Sequence, residues 1–467
     1  MNPLSPSLWS LALAFALLSL VAEPALSAPP GAADGGRLPQ PGGILAPGVG
    51  WRDRLAAGHE AGSAITQSAP DDTLEFAPPP PDDEEMAADE DRSPEDWLRA
   101  PIRDDLLTDV DVWRAIEGDN DRTDLLFDYN RVDRLRLGVG YQIQSPETMT
   151  PRLAGRVEYA FGRERTLYGA QIEQPLMPSG RLAAGASMVR RTDHGDLQQV
   201  EDVENSLALL FARQDYRDYF EREGFGAYLR VRVPGFSNVS LHFRNDEYRS
   251  LALHPGTRSW FARDRSLRVN PPIAEGEAHS LVVRLDRLAR RTHRTRAGFY
   301  HAVDVERAGY GLGGSFQYTR ALADVRSVLR VSPATTLAVR AVAGHTASGA
   351  LPFQKEFTAG GVDGLRAHRF SQYRGDEMLL AQAEYSVGLW RVRSGLFEGG
   401  LHAIAFLDLG KAWSSPGRGW DLDRQRFQAD GGLGLGTSED NLRIYFAKNL
   451  HEPDSDLVVS LRLQRPF

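Results

Sequence analysis

The sequence predicts an all-β fold: a 16-stranded antiparallel transmembrane β-barrel, preceded by a signal peptide, a disordered acidic linker and short helices. Three observations predict it. Alternation of apolar and polar residues recurs in run after run from residue 134 onwards, short turns tend to alternate with longer polar loops, and the last apolar stripe reaches the final residue. Outer-membrane barrels combine an even strand number, a lipid-facing apolar face and a polar lumen.

Residues 1–27 are predicted to be a secretory signal peptide. An apolar-rich segment from Leu8 to Ala22 is followed by Pro24 and small residues, and cleavage is expected after Ser27. The segment before it has no Lys or Arg, so a single N-terminal anchor stays an alternative. The chain has no cysteine, which excludes structural disulfides, cysteine-ligated zinc and thiol catalysis.

Residues 28–93 are predicted to be a disordered linker rich in proline and acidic residues. Low apolar content with high charge cannot form a core. Residues 70–124 carry 20 acidic and 5 basic residues, although the formal charge of the whole chain is only −9. The acidity therefore belongs to the N-terminal region, and the remainder is net basic. The acidic segment either serves solvation alone or contacts a basic barrel mouth.

Residues 94–129 are predicted to hold one or two short amphipathic helices. Ser93 and Pro94 occupy the positions that favour a helix start. Apolar residues then recur at helical spacing: Leu106, Leu107, Val110, Trp113 and Ile116. These helices would rest at the periplasmic mouth of the barrel or plug its lumen.

Residues 130–467 are predicted to form the barrel. The expected strands are 134–143, 152–162, 166–176, 181–191, 204–213, 223–233, 237–247, 279–287, 297–307, 316–331, 335–346, 377–390, 399–410, 426–437, 441–449 and 456–467. The run at 204–213 could equally begin a helix. Inward-facing glycines on one strand, Gly432, Gly434 and Gly436, would leave room for an entering loop.

The last run ends in an apolar stripe that includes Leu461, Leu463 and the terminal Phe467. A chain that ends on Phe after such a strand resembles the terminal signal of bacterial outer-membrane proteins. This resemblance implies recognition by the outer-membrane assembly machinery during biogenesis, and contact with outer-membrane lipid.

The loop before the last five strands resembles a known family. The segment GGVDGLRAHRFSQYRGDEMLLAQAEY is similar to the sixth external loop and following strand of BamA/TamA-type barrels, the bacterial surface antigen family. In that family an Arg at the loop tip meets a Glu on the next strand and an Asp in a Phe-x-Asp-x-Gly-x-x-Trp run. The matching positions are Gly360, Gly361, Leu365, Arg366, Glu384, Phe406, Asp408, Gly410 and Trp413.

Alternation supports this match independently. The apolar faces of 377–390 and 399–410 leave Glu384 and Asp408 on the inward faces of neighbouring strands. Two carboxylates in one lumen repel unless a cation lies between them, and a planar guanidinium can bind both. Three unrelated polar lumen residues are the alternative.

The resemblance implies a non-enzymatic outer-membrane barrel in protein or lipid assembly or transport, with its N-terminal segment in the periplasm. Two departures matter: the tip reads Arg-Ala-His where the family has Arg-Gly-Tyr/Phe, and residues 28–129 show no POTRA domain. A passive channel or structural barrel is therefore the alternative.

The sequence predicts no catalytic, cofactor or metal site. The run GYGLGG (309–314) is expected to be a barrel loop, because no helix follows it. The basic run RLARRTHRTR (287–296) falls in a predicted periplasmic turn. It is expected to contact lipid headgroups or the acidic segment rather than nucleic acid.

Overall fold

The structure, a computed structural model, describes residues 121–143, 149–233, 237–261, 265–286, 298–332, 334–394, 397–415, 420–437, 442–452 and 454–463. The strands are β1 Asp121–Asn130, β2 Arg134–Ile143, β3 Arg152–Ala160, β4 Arg165–Pro175, β5 Leu182–His194, β6 Tyr219–Val233, β7 Ser237–Ser250, β8 Gly276–Asp286, β9 Gly298–Ala308, β10 Tyr318–Ser332, β11 Thr335–Gly349, β12 Phe357–Ala359, β13 Tyr373–Gly375, β14 Glu377–Ser394, β15 Phe397–Trp413, β16 Gln428–Thr437, β17 Arg443–Asn449 and β18 Val458–Arg462. One helix, α1 (Asp202–Leu207), continues into a π-helical turn at Ala208–Ala212.

Sixteen of these strands form one antiparallel sheet, which confirms the predicted fold class and strand number. Sheet neighbours follow chain order, and β12 and β13 pair separately within the loop between β11 and β14. Within the described residues the first and last strands, β1 and β18, are not paired with each other.

The two faces of the sheet differ in the sense expected of a barrel wall. On β14 the polar Gln382 and Glu384 are each only 2% exposed, while the residue after Glu384, Tyr385, points to the other face and is 46% exposed. A soluble sandwich would bury the apolar face instead, so this distribution favours a lipid-facing exterior and a polar interior. The exposed apolar side chains include Leu125, Phe127, Leu137, Val139, Val157, Phe225, Leu241, Val283, Leu407, Leu409, Leu433, Val459 and Leu461.

The predicted strand at 204–213 is wrong, because these residues form α1 and the turn after it. Three consecutive apolar residues, Leu209 to Phe211, do not alternate and suit a helical turn better than a strand. Their place in the count is taken by β1, which begins at Asp121, inside the segment predicted to be helical up to residue 129. There Leu125 and Phe127 are exposed and Asp128 is buried, a period of two.

Several predictions fall outside the described residues. The signal peptide at 1–27, the linker at 28–93 and the predicted helices up to residue 120 are among them, as are the basic run 287–296 and Phe467.

The run GYGLGG lies between β9 and β10, with a left-handed backbone at Gly311 (φ 101°). Among the residues that the structure describes, no helix is long and apolar enough to cross a membrane.

Candidate functional site

The loop between β11 and β14 turns back onto the polar face of the sheet. Strands β12 and β13 form its neck, and two glycines make the turn above them. Gly360 and Gly361 have φ angles of 115° and 87°. A Cβ on Gly360 would lie 2.4 Å from the carbonyl oxygen of Arg369, so both backbone conformation and space require glycine there.

Arg366, at the tip of this loop, lies between carboxylates of two neighbouring strands. Its Nε donates to Asp408 Oδ2 and its Nη2 to Asp408 Oδ1, each at 2.8 Å. Its Nη1 donates to Glu384 Oε1 at 2.6 Å. Arg366 is 2% exposed, Glu384 2% and Asp408 0%. The guanidinium therefore binds the carboxylate of Asp408 on β15 with two nitrogens and that of Glu384 on β14 with the third, in a buried site.

Aromatic rings flank the guanidinium. Its central carbon lies 3.9 Å from the centre of the Phe406 ring and 4.8 Å from that of Tyr445. The two rings meet edge to face at 5.5 Å. A buried cation over aromatic faces gains electrostatic attraction without needing water. Gln382 completes the cluster by donating to Asp408 Oδ1 at 3.2 Å and to the carbonyl oxygen of Gly364 at 2.9 Å.

A second arginine that the sequence analysis did not single out balances the charges. Arg443 on β17 donates through Nη1 to Glu384 Oε2 at 2.9 Å. Two guanidinium groups therefore meet two carboxylates, which makes the cluster formally neutral. Arg443 and Tyr445 lie two residues apart and are both buried. The alternation of β17 could have placed Arg443 on the inward face.

Asp430 on β16, also not singled out, holds the two residues after Arg366. Its Oδ2 accepts from the backbone N–H of Ala367 at 2.7 Å. The Nδ1 atom of His368 lies 3.0 Å from Asp430 Oδ1, and Asn449 lies beside the other ring nitrogen at 3.5 Å. The Arg-Ala-His tip thus has its own buried polar partner, since Asp430 is 0% exposed.

The remaining predicted residues lie at different distances from this centre. Leu365 is fully buried in an apolar cluster with Phe357 and Met378. Gly410 lies on β15, where a Cβ would meet the carbonyl oxygen of Leu379 at 2.6 Å. Near the loop end of β15, Trp413 packs edge to face against aromatic side chains of the β15–β16 loop. Leu461 is 52% exposed on β18, and Leu463 follows that strand.

The chemistry of this centre is that of an ion-pair cluster. Each carboxylate oxygen of Glu384 and Asp408 accepts a hydrogen bond from a named donor, so the groups are engaged with one another. In the part of the chain that the structure describes, no group of three or more His, Asp or Glu side chains could hold a metal ion.

Replacing Asp430 by alanine is expected to lower the free energy of unfolding by about 1–3 kcal/mol, because the amide of Ala367 and the ring of His368 lose their buried acceptor. Thermal unfolding in detergent measures the loss. Asp430→Asn keeps one acceptor oxygen and should lose less. Equal melting temperatures for the wild type and the alanine variant would contradict this assignment.

Known proteins resemble this chain in sequence and in fold. The model of the Omp85 superfamily domain matches residues 154–464, more than half of the chain. No curated protein matches. A solved structure of BamA from Haemophilus ducreyi lacking POTRA domains 1-3 is similar at 12% identity with a TM-score of 0.50, covering 73% of this chain and 69% of that chain.

Two CdiB structures are similar at lower scores. CdiB from Acinetobacter baumannii is 14% identical with a TM-score of 0.40, covering 73% of this chain and 58% of that chain. CdiB from Escherichia coli is 12% identical with a TM-score of 0.45, covering 74% of this chain and 63% of that chain. At 12% identity the likeness to BamA shows the fold alone, and the family assignment rests on the domain match. The chain belongs to the Omp85 superfamily of β-barrel outer-membrane proteins.

Proposed function

We propose that this barrel has a non-enzymatic role in the assembly or transport of outer-membrane proteins or lipids, with its N-terminal segment in the periplasm. The observation that carries the proposal is the buried Arg366, which joins the β11–β14 loop to two neighbouring strands. Such a loop fixes the shape of the wall from inside. Outer-membrane lipid and, during biogenesis, the assembly machinery are the proposed partners.

Two further features support an assembly role. The loop occupies the polar side of the sheet, where a passive pore would need open water. Membership of the Omp85 superfamily supports a role in protein insertion or secretion. A passive channel is the second candidate, favoured by the polar inward faces of the strands, which supply a hydrophilic lining.

Reconstitution separates the two candidates. In liposomes that carry the purified full chain, an unfolded outer-membrane protein is expected to fold faster than in empty liposomes, or a labelled phospholipid to cross faster between leaflets. In planar bilayers the same protein should show small, brief openings, because the loop is held by buried ion pairs.

The controls use the same preparation. A porin of equal strand number reconstituted at the same protein-to-lipid ratio controls for the disturbance that any barrel causes in a bilayer. Large, steady conductance with no acceleration of folding or lipid movement would favour the passive channel and overturn the assembly proposal.

A further inference from the structure

The first and last strands, β1 and β18, are the two edges of the sheet, and we call the region between them the seam. Within the described residues β1 pairs as a strand only with β2, and β18 only with β17. Backbone groups on such edges need partners, since an unpaired amide in a membrane environment is costly. Side chains of α1, in the β5–β6 loop, supply partners on both sides of this seam.

On the β1 side the contacts come from Ser206 and Asp202. The backbone N–H of Tyr129 donates to Ser206 Oγ at 2.7 Å, and the Ser206 hydroxyl donates to Asp128 Oδ1 at 3.1 Å. Asp202 Oδ2 accepts from Arg136 Nη2 on β2 at 3.2 Å. Ser206 therefore occupies the place that a carbonyl of a neighbouring strand would take at Tyr129.

On the β18 side the contact comes from Glu204. Its Oε1 accepts from Nε of Arg462, and its Oε2 accepts from the backbone N–H of Leu463 at 3.2 Å. Glu204 is 4% exposed and Arg462 is 1% exposed. This backbone amide, just after the last strand, is thus also satisfied by a side chain of α1.

Helix geometry explains why one short helix reaches both edges. At 3.6 residues per turn, positions 204 and 206 point roughly 200° apart, whereas 202 and 206 share a face. The face with Asp202 and Ser206 therefore meets β1 and β2, and the opposite side meets β18. We propose that α1 is an internal clasp whose side chains hold the first and last strands together.

The clasp is joined to the loop that carries Arg366. Arg462 donates through Nη1 to the carbonyl oxygen of Val362 at 2.9 Å and lies 3.2 Å from Asp363 Oδ1. Asp363 Oδ2 accepts from the backbone amides of Gln199 and Val200, just before α1, at 2.8 and 3.1 Å. A shift of either loop therefore changes the support of β18.

Hydrogen exchange of the purified full chain tests the clasp. In Ser206→Ala and in Glu204→Gln, peptides covering β1 and residues 458–463 are expected to exchange at least about tenfold faster, since exchange reports the free energy of local opening. Peptides in β6 and β7 should exchange as in the wild type. Ser206→Ala removes only a hydroxyl group, so it tests the clasp even if the Glu204 variant folds poorly.

Glu306→Gln is the matched control. Glu306 is also a buried, paired glutamate, bonded to Lys355 and Tyr318, but it lies on β9 in the middle of the sheet. It should leave exchange at the seam unchanged. Seam exchange at the wild-type rate in both clasp variants, or equal acceleration by Glu306→Gln, would overturn the proposal.

A reversible cross-link gives an independent test. The chain has no cysteine, so Asp128→Cys with Ser206→Cys introduces the only thiol pair. The oxidised protein is expected to exchange more slowly than the wild type in β1, and reduction should reverse this to faster than the wild type. A disulfide that forms without slowing exchange in β1 would contradict the clasp.

Discussion

Replacing Arg366 by alanine is expected to lower the free energy of unfolding of the barrel by about 3–5 kcal/mol, the usual cost of removing one partner of a buried ion pair. Asp408 carries most of the effect, because Gln382 is then its remaining side-chain donor. Glu384 keeps Arg443. Urea unfolding in detergent measures the loss. When samples are heated to increasing temperatures before electrophoresis, the band of the folded protein should disappear at a lower temperature for the variant than for the wild type.

Two controls separate the geometry of this cluster from charge and from substitution in general. Arg366→Lys keeps the positive charge but cannot bind both oxygens of Asp408 and reach Glu384, so it should recover less than half of the loss. Arg424→Ala removes an arginine whose side chain is 72% exposed and lies 3.5 Å from Asp421. It should change stability by less than about 1 kcal/mol. A wild-type unfolding midpoint for Arg366→Ala would refute the assigned role.

The strands were predictable because a barrel wall repeats one rule, apolar outside and polar inside, at every second residue. Where a segment broke that rule the prediction failed, as at α1. Its residues are buried between loops and end strands, so tertiary contacts rather than periodicity determine their conformation. All of β1 was missed, because an apolar helical spacing just before it extended the expected helical segment across it.

The candidate site was predictable only in part for a related reason. Alternation assigns Glu384 and Asp408 to the inward face, but it cannot tell how far an inward side chain reaches across the lumen. Arg443 lies three strands away from Glu384 in the sheet. The carboxylate of Asp430 contacts the backbone amide of Ala367 and the ring of His368 at the loop tip. Such contacts depend on curvature of the sheet and the path of the loop, which no local pattern encodes.

The glycines of β16 show the same limit. They were expected to leave room for the loop itself, whereas a Cβ on Gly432 would lie 2.8 Å from the Phe406 ring and 2.0 Å from the carbonyl oxygen of Phe446. The space beside Gly432 is therefore filled by the Phe406 ring, which packs against Arg366, and by the backbone of β17. A Cβ on Gly434 would likewise lie 3.0 Å from the Tyr445 ring.

Replacing Gly432 by valine is accordingly expected to destabilise the barrel by about 2–3 kcal/mol or more, since added volume at a closely packed site forces backbone and side chains apart. The displaced Phe406 ring would move away from the guanidinium of Arg366, so the variant should lose stability through the same cluster. In a double-mutant cycle with Arg366→Ala, the two losses should therefore sum to more than the double variant shows.

The adjacent glycine supplies the matched control, because it lies on the opposite face of the same strand. The three atoms nearest to a Cβ on Gly431 all belong to the side chain of Leu450, the closest at 3.2 Å, and that flexible side chain can move aside. Gly431→Val should thus lower the unfolding midpoint far less than Gly432→Val does. If the two valine variants unfolded alike, the packing of Phe406 beneath Arg366 would not be what requires glycine at position 432. Additive losses in the cycle would lead to the same conclusion, because independent sites do not share a contact.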